Sequence, residues 1–447
     1  MPIAITQDPV ASVGLAQPPA QPLRAARPSK RKRTADATPT LAVPEQPRPA
    51  AAESKPSLRV PFLRPSPPRL SELTEGLVAI EASGVFSNYG PMNCRLEEGV
   101  LTRIFKSPGE CLTVCNATIG LMLAIKQAVG WQPRGRYALM PSFTFAATAH
   151  AALWCGLTPL LCDIDPDTWL PDADAEQAMI ERHGDAIAVI LPNATFGNCL
   201  DLARYDRIST AHGIPVVIDA AASLGSVGAD GRAFGAGCAH PLVFSMHATK
   251  SFATAEAGLI YSADAGRIAT LRMMGNFGFG EPRTATMPGL NSKLGEVSAL
   301  LGLAKLDEFE RITLHRQAIY ALYRQLLPEF EFQHLTGART AHQFVPVLLP
   351  ANLAGRVPEV VAALAEQGIG AGRYFVPHLA EQSFFQASCI VDALPATIAT
   401  SRRILSLPLS DSITPADIDL VCSAMRRACR KVADAQAHTP RPMVLST

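Results

Sequence analysis

The 447-residue sequence carries almost no excess of charge: 40 Lys and Arg stand against 39 Asp and Glu, a formal net charge of +1. No bulk field therefore argues for a nucleic acid or an anionic membrane as partner, and neither is expected. Long apolar runs are missing as well. Pro, Asp or Gly interrupts each hydrophobic stretch well short of the roughly 18 residues that a membrane helix needs. The start, MPIAITQDPV, lacks the basic segment and apolar core of a secretory leader. Cysteine spacing gives no framework: ten cysteines are scattered through contexts such as LWCGL and LLCDI, and Cys111 and Cys115 have no Cys-rich or His-rich partner segment. Neither a zinc site nor a set of disulfides is indicated, and reduced, buried thiols in a cytoplasmic protein are expected.

What is present is globular. The hydrophobic set makes up 48% and charged residues 18%, which excludes a wholly disordered chain. At roughly 150 residues per domain the length allows about three domains, or a large domain with a smaller companion and a tail. Residues 1–65 hold 13 of the 37 prolines, with Ala, Gln and Ser and no helical or alternating period, and are predicted to be a disordered basic tail. Its run Lys30-Arg31-Lys32-Arg33 resembles a nuclear-localisation or polyanion-binding patch, although short basic runs in low-complexity tails are more often simply solvated. Removal of residues 1–65 is then expected to leave fold and activity unchanged.

From about residue 70 short apolar runs alternate with longer helical patterns, the sequence form of βαβ units and a mostly parallel sheet. Candidate strands at 137–140, 159–162, 186–191, 215–218, 242–244 and 259–261 are followed by polar segments that include PSFTF, DIDPD, PNATFGN, DAAAS and SMHATK. In open α/β sheets ligands sit at the carboxyl ends of strands, so these segments can converge on one crevice. Leu300, Leu303, Leu306, Phe309, Ile312 and Ile319 recur at helical spacing and predict a long linking helix. The remainder reads as a smaller α+β domain closed by a helix that starts at Thr414-Pro415-Ala416-Asp417. The predicted organisation is a large domain at 70–316, a small C-terminal domain at 317–436 and a flexible end at 437–447.

Asp219 follows an apolar VVI run and precedes three alanines, which leave room for a flat ligand; its position alone leaves a helix-capping role equally open. Lys250 follows SMHAT at another strand exit, where burial would lower its pKa, as an amine nucleophile that forms a Schiff base requires. A carboxylate opposite a pyridine nitrogen and a lysine bonded to an aldehyde are the two protein groups that pyridoxal phosphate needs. Thr118, in CNATIG at a helix start, can offer a hydroxyl and backbone N–H groups to a phosphate; read alone, it is more often an ordinary cap.

Together these segments resemble the DegT/StrS family of pyridoxal-phosphate-dependent sugar aminotransferases, of aspartate-aminotransferase-like fold (fold type I), over about 87–427. The resemblance implies an α/β protein with a large, mostly parallel mixed sheet and a smaller α+β C-terminal domain. NYGPMNCRLEEGV is similar to the segment that opens the family's first large-domain helix. CNATIGLMLAI resembles the phosphate turn and places Ala117 and Thr118 on the cofactor phosphate. PSFTFAATAHAAL is similar to the segment whose aromatic residue, here Phe145, stacks on the ring. VIDAAAS and FSMHATK then imply Asp219 at the pyridinium nitrogen, Ser245 on the phosphate and Lys250 as the Schiff-base lysine. TAEAGLIY puts Glu256 in the family's acidic position. GLNSKLGEVSALLGLAKL implies that Asn291 reaches the phosphate in a partner subunit, hence a homodimer with a shared site.

Four positions depart from the family pattern: Ala117 replaces a glycine, Ala222 a His or Gln, Ala194 a frequent His, and Lys293 an Arg. Ala117 is tolerated only with a negative φ. The activity that the resemblance implies is amino transfer from glutamate or glutamine to a nucleotide-linked keto-sugar, for amino-sugar, polysaccharide or secondary-metabolite biosynthesis. Two other readings stay open. Relatives that dehydrate sugars on this scaffold carry histidine in place of the lysine, so Lys250 favours transfer; the two alanines beside the cofactor leave a non-catalytic regulatory or binding protein as the other.

Overall fold

The computed structural model describes residues 58–437. Most of the expected tail, its basic run at 30–33 and the last ten residues lie outside the described residues.

The strands are β1 (Glu110–Val114), β2 (Tyr137–Pro141), β3 (Thr158–Cys162), β4 (Ile187–Ile190), β5 (Ile218–Asp219), β6 (Leu242–Ser245), β7 (Gly258–Ser262), β8 (Glu331–Phe332), β9 (Val345–Leu348), β10 (Ile390–Val391) and β11 (Ile404–Leu407). Two four-stranded ladders, β1-β7-β6-β5 and β10-β3-β2-β4, are joined by bridges between Ile190 and Val216 and between Asn193 and Asp219. The result is one mixed sheet in the order β1-β7-β6-β5-β4-β2-β3-β10. Only β7 runs antiparallel to its neighbours β1 and β6; the other ladders are parallel.

Why these runs form central strands is visible in their burial. Every residue of β2, β4, β6 and β7 is buried, as expected for strands covered on both faces. Successive side chains alternate between two cores. Leu139, Leu160, Ile218, Leu242 and Leu259 enter one core; Met140, Leu161, Val217, Val243 and Ile260 enter the other. Polar segments after β2, β5 and β6 consequently emerge along one edge of the sheet.

A further core forms around the antiparallel ladder β11-β9-β8. The helix Glu296–Leu326 serves both: Ala299, Leu300, Leu306 and Phe309 pack into the sheet core, and Ile319, Tyr320 and Tyr323 into the C-terminal core. Between them lies a buried charge cluster. Asp411 accepts from Lys305 Nζ at 2.8 Å and from Arg316 Nε at 2.7 Å, so the two buried cations share one carboxylate as their ion-pair partner. The closing helix Pro415–Ala437 starts as its sequence indicates. Asp417 N–H donates to Thr414 Oγ1, and Thr414 N–H donates back to Asp417 Oδ2, which is a reciprocal capping box.

The tail boundary needs correction, because residues 58–65 are ordered and packed. Val60 is only 4% exposed in the C-terminal core; its N–H donates to Gly368 O and its carbonyl accepts from Gly370 N. Phe62 lies 5.7 Å from the Phe344 ring, and a Cβ on Gly372 would collide with it. Composition hid this strap, because its apolar residues Leu58, Val60, Phe62 and Leu63 stand among Pro and Arg in too short a run to show a period. The expectation that residues 1–65 can be removed without effect is therefore withdrawn. Val60→Asp should lose about 3 kcal/mol or more in urea unfolding by burying an unpaired carboxylate, while Arg64→Ala changes it by less than about 0.5 kcal/mol; equal midpoints for the two variants would contradict the packing.

Candidate active site

The strand exits meet in a cavity of about 820 Å3. Of the residues singled out from the sequence, Ala117, Thr118, Phe145, Asp219, Ser245, Lys250 and Glu256 all line it, together with both alanines, Ala194 and Ala222. Asn291 does not line the cavity: it is exposed on the loop that precedes the long helix, and Lys293 on the same loop donates to Asn276 Oδ1 at 2.9 Å.

One wall is the start of helix Ala117–Val129. Asn116 caps it by accepting from Ile119 N–H at 3.0 Å, which leaves neighbouring N–H groups at the helix start for an anion. Ala117 has no positive φ, so the alanine in place of glycine is accommodated. β7 passes very close behind: a Cβ on Gly258 would come within 2.7 Å of the Ala117 nitrogen, so only glycine allows the turn and the strand to approach in this way.

Asp219 ends β5 and is 3% exposed. Its Oδ1 accepts from Ala221 N–H at 3.0 Å, and its Oδ2 accepts a short bond from the hydroxyl of Thr148. A buried carboxylate needs such donors to remain oriented. Thr148 was not singled out from the sequence, although it lies inside the quoted PSFTFAATAHAAL segment, three residues after Phe145. Ser245, at the end of β6, accepts from His247 N–H at 3.3 Å.

Lys250 reaches the cavity from the loop after β6. Its Nζ donates to Gln343 Oε1 at 3.0 Å. Burial pushes its ammonium down to about 8, and the Asp219 carboxylate partly opposes this. Gln343 comes from the segment leading into β9 and was also not foreseen; the only sequence signal was an amide placed just before an apolar strand. Phe344 and Phe375 complete the wall from the C-terminal part, and Phe375 stacks on Phe196 with ring centroids 5.1 Å apart.

This donor set fits pyridoxal phosphate. A helix start with Thr118 and Ser245 nearby suits a phosphate, the exposed Phe145 ring can cover a flat heterocycle, Asp219 offers a buried carboxylate, and Lys250 an amine of lowered pKa. Neither Ala194 nor Ala222 brings a polar group to this cavity. Beside Ala194, Asn193 uses its amide locally: its Oδ1 accepts from Thr195 Oγ1 at 3.0 Å.

The lowered Lys250 pKa has a definite sign in stability. The unfolded chain binds this proton more tightly than the folded one, so the Lys250 contribution to stability rises with pH between about 8 and 10.5. In the cofactor-free protein, the difference in unfolding free energy between wild type and Lys250→Met should move in the wild type's favour across that window. A pH-independent difference would show that the amine is solvated.

Comparison with known proteins follows the same residues. The DegT/DnrJ/EryC1/StrS aminotransferase family description matches residues 70–426. The chain is similar to Protein Rv3402c of Mycobacterium tuberculosis, 33% identical over 83% of this chain and 90% of that protein. It is also similar to dTDP-4-amino-4,6-dideoxy-D-glucose transaminase of Escherichia coli, 29% identical over 78% of this chain and 93% of that one. Among solved structures, a Bacillus cereus protein described as a PLP-dependent aminotransferase is 36% identical with a TM-score of 0.78, over 82% of this chain and 99% of its own. DesI, solved with its TDP-sugar product, is 31% identical with a TM-score of 0.76, over 85% and 96%.

Proposed function

The chain belongs to the DegT/DnrJ/EryC1/StrS aminotransferase family and is a pyridoxal-phosphate-dependent aminotransferase of fold type I; on that premise we propose that its donor is glutamate or glutamine and its acceptor a nucleotide-linked keto-sugar. The observation that carries the reading is the meeting of Lys250, Asp219 and a helix-start anion site in one cavity. The acceptor class rests on the transaminase of dTDP-4-amino-4,6-dideoxy-D-glucose and on DesI with its TDP-sugar product.

Pyridoxal phosphate, when bound, supplies an aldehyde that bonds amines and a ring that takes up the electron pair released at the substrate carbon. The chain's residues do the rest. Thr118, Ser245 and the N–H groups at Ala117 would hold the phosphate. Phe145 would cover the ring face, and Asp219, oriented by Thr148, would hold a proton on the ring nitrogen. Lys250 would hold the aldehyde, and its amine, when free, would take the proton from the substrate carbon and pass it to the carbon of the former aldehyde. Burial pushes this amine down to about 8, closer to neutral pH than a solvated lysine, which favours proton transfer in both directions.

We further propose a homodimer in which Asn291 serves the partner's phosphate. Its exposure outside its own cavity supports this, as do the solvent-facing Trp154 and Phe384, whose burial between subunits would remove apolar surface from water. No helix among the described residues is long and apolar enough to cross a membrane. All ten cysteines are free, which suits a reducing cytoplasm.

Wild-type protein given pyridoxal phosphate should turn yellow and bleach with glutamate, whereas Lys250→Ala should do neither. Absence of colour in the wild type would instead favour the binding-protein reading that Ala194 and Ala222 suggest. Mixing Lys250→Ala with Asn291→Ala chains should restore activity above either variant alone; no rescue would count against a shared site.

A further inference from the structure

The lysine amine donates to a side chain that is itself held in place. Gln343 Oε1 accepts from Lys250 Nζ at 3.0 Å, and Gln343 Nε2 donates to Thr249 Oγ1 at 3.5 Å. Thr249 Oγ1 lies 2.8 Å from His247 Nδ1, and the Thr249 N–H also donates to that nitrogen at 3.2 Å. Nδ1 is therefore assigned as an acceptor, which leaves the proton on Nε2, and Nε2 faces Glu256 Oε1 at 3.5 Å. Every donor then points the same way, from Lys250 through Gln343, Thr249 and His247 to Glu256. A flipped Gln343 amide would set an NH2 group against the lysine ammonium and break its bond to Thr249, so the chain fixes the amide orientation.

The backbone under Gln343 is fixed too. Arg316 Nη1 donates to the carbonyls of His342 and Gln343 at 2.9 and 3.3 Å, and Arg316 is tied in turn to Asp411. Gln343 itself is 7% exposed. A buried amide oxygen on a rigid support, aimed at an amine, favours the charged form of that amine and one direction of its N–H bonds. The titratable groups that share the cavity with Lys250 are Asp219, His150, His247, Glu256 and Tyr374; among these only Glu256 and His247 belong to the chain that ends on Gln343.

We propose that Gln343 is a positioning residue for the reaction: its amide oxygen, oriented by Thr249, His247 and Glu256, holds the Lys250 amine whenever that amine is not bonded to the cofactor. The inference rests on Lys250 being the cofactor-bonding lysine. It gives the C-terminal core a direct part in the proton-transfer step, through one side chain that does not touch the cofactor's ring nitrogen or phosphate sites.

The test reads the amine itself in the cofactor-free, full-length protein. Acetic anhydride labelling of the peptide containing residue 250, followed by mass spectrometry over a pH series, gives the Lys250 midpoint, near 8 in wild type. Gln343→Leu removes the acceptor and should lower the midpoint by about one unit; Gln343→Glu should raise it by at least about as much. Thr249→Val releases the amide to rotate and should move the midpoint in the same direction as Gln343→Leu. Circular dichroism identifies any variant that does not fold, in which case the other two carry the test. Midpoints equal to wild type in folded variants would overturn the inference while leaving Lys250 as cofactor lysine intact. Failure of added pyridoxal phosphate to protect Lys250 from labelling would instead overturn the site on which the inference stands.

Discussion

A carboxylate and an amine withdrawn from water around one cavity are the constraint on which the site depends. Neither Asp219 nor Lys250 is stable there unless the surrounding structure supplies donors and acceptors. Thr148 and the Ala221 N–H do this for Asp219, and Gln343 does it for Lys250. These partners come from three different places: the helix after β2, the turn after β5, and the segment before β9. The sheet and the C-terminal core must both be assembled before the two charges are satisfied. Desolvation then pushes the amine down to about 8, toward the range a proton-shuttling lysine needs.

The sheet was legible because its strands are buried on both faces. Continuous apolar runs at 137–140, 159–162, 242–244 and 259–261 appear with their ends displaced by at most one residue at each end as β2, β3, β6 and β7. The run at 215–218 is different. Most of it pairs only through bridges, and β5 is reduced to Ile218–Asp219, because the backbone there serves as the seam between two ladders. β1 was not foreseen, as Glu110–Val114 is short and includes a Glu and a Thr; its antiparallel pairing with β7 depends on a partner about 150 residues away in sequence. The strap at 58–65 escaped for a similar reason: its order comes from long-range packing of Val60 and Phe62, which no local pattern encodes.

At the site, residues next to strand ends could be found and their supports could not. Asp219, Ser245 and Lys250 stand at exits that an α/β reading singles out. Thr148 and Gln343 are ordinary polar residues in sequence; only the fold brings Gln343 within 3.0 Å of a lysine 93 positions away. The departures Ala117, Ala194 and Ala222 divide accordingly. Ala117 is explained by its helical backbone. Ala194 and Ala222 line the cavity and nothing in the structure replaces the polar groups that the family pattern has there.

The central claim is that Lys250 alone carries the aldehyde of pyridoxal phosphate. Borohydride reduction of the loaded protein, digestion and mass spectrometry locate the bond directly. The phosphopyridoxyl group should appear on the peptide containing Lys250 at one per chain and vanish in Lys250→Ala. Its appearance on Lys293 or another lysine in wild type, or its persistence in Lys250→Ala, would contradict the site described for this protein.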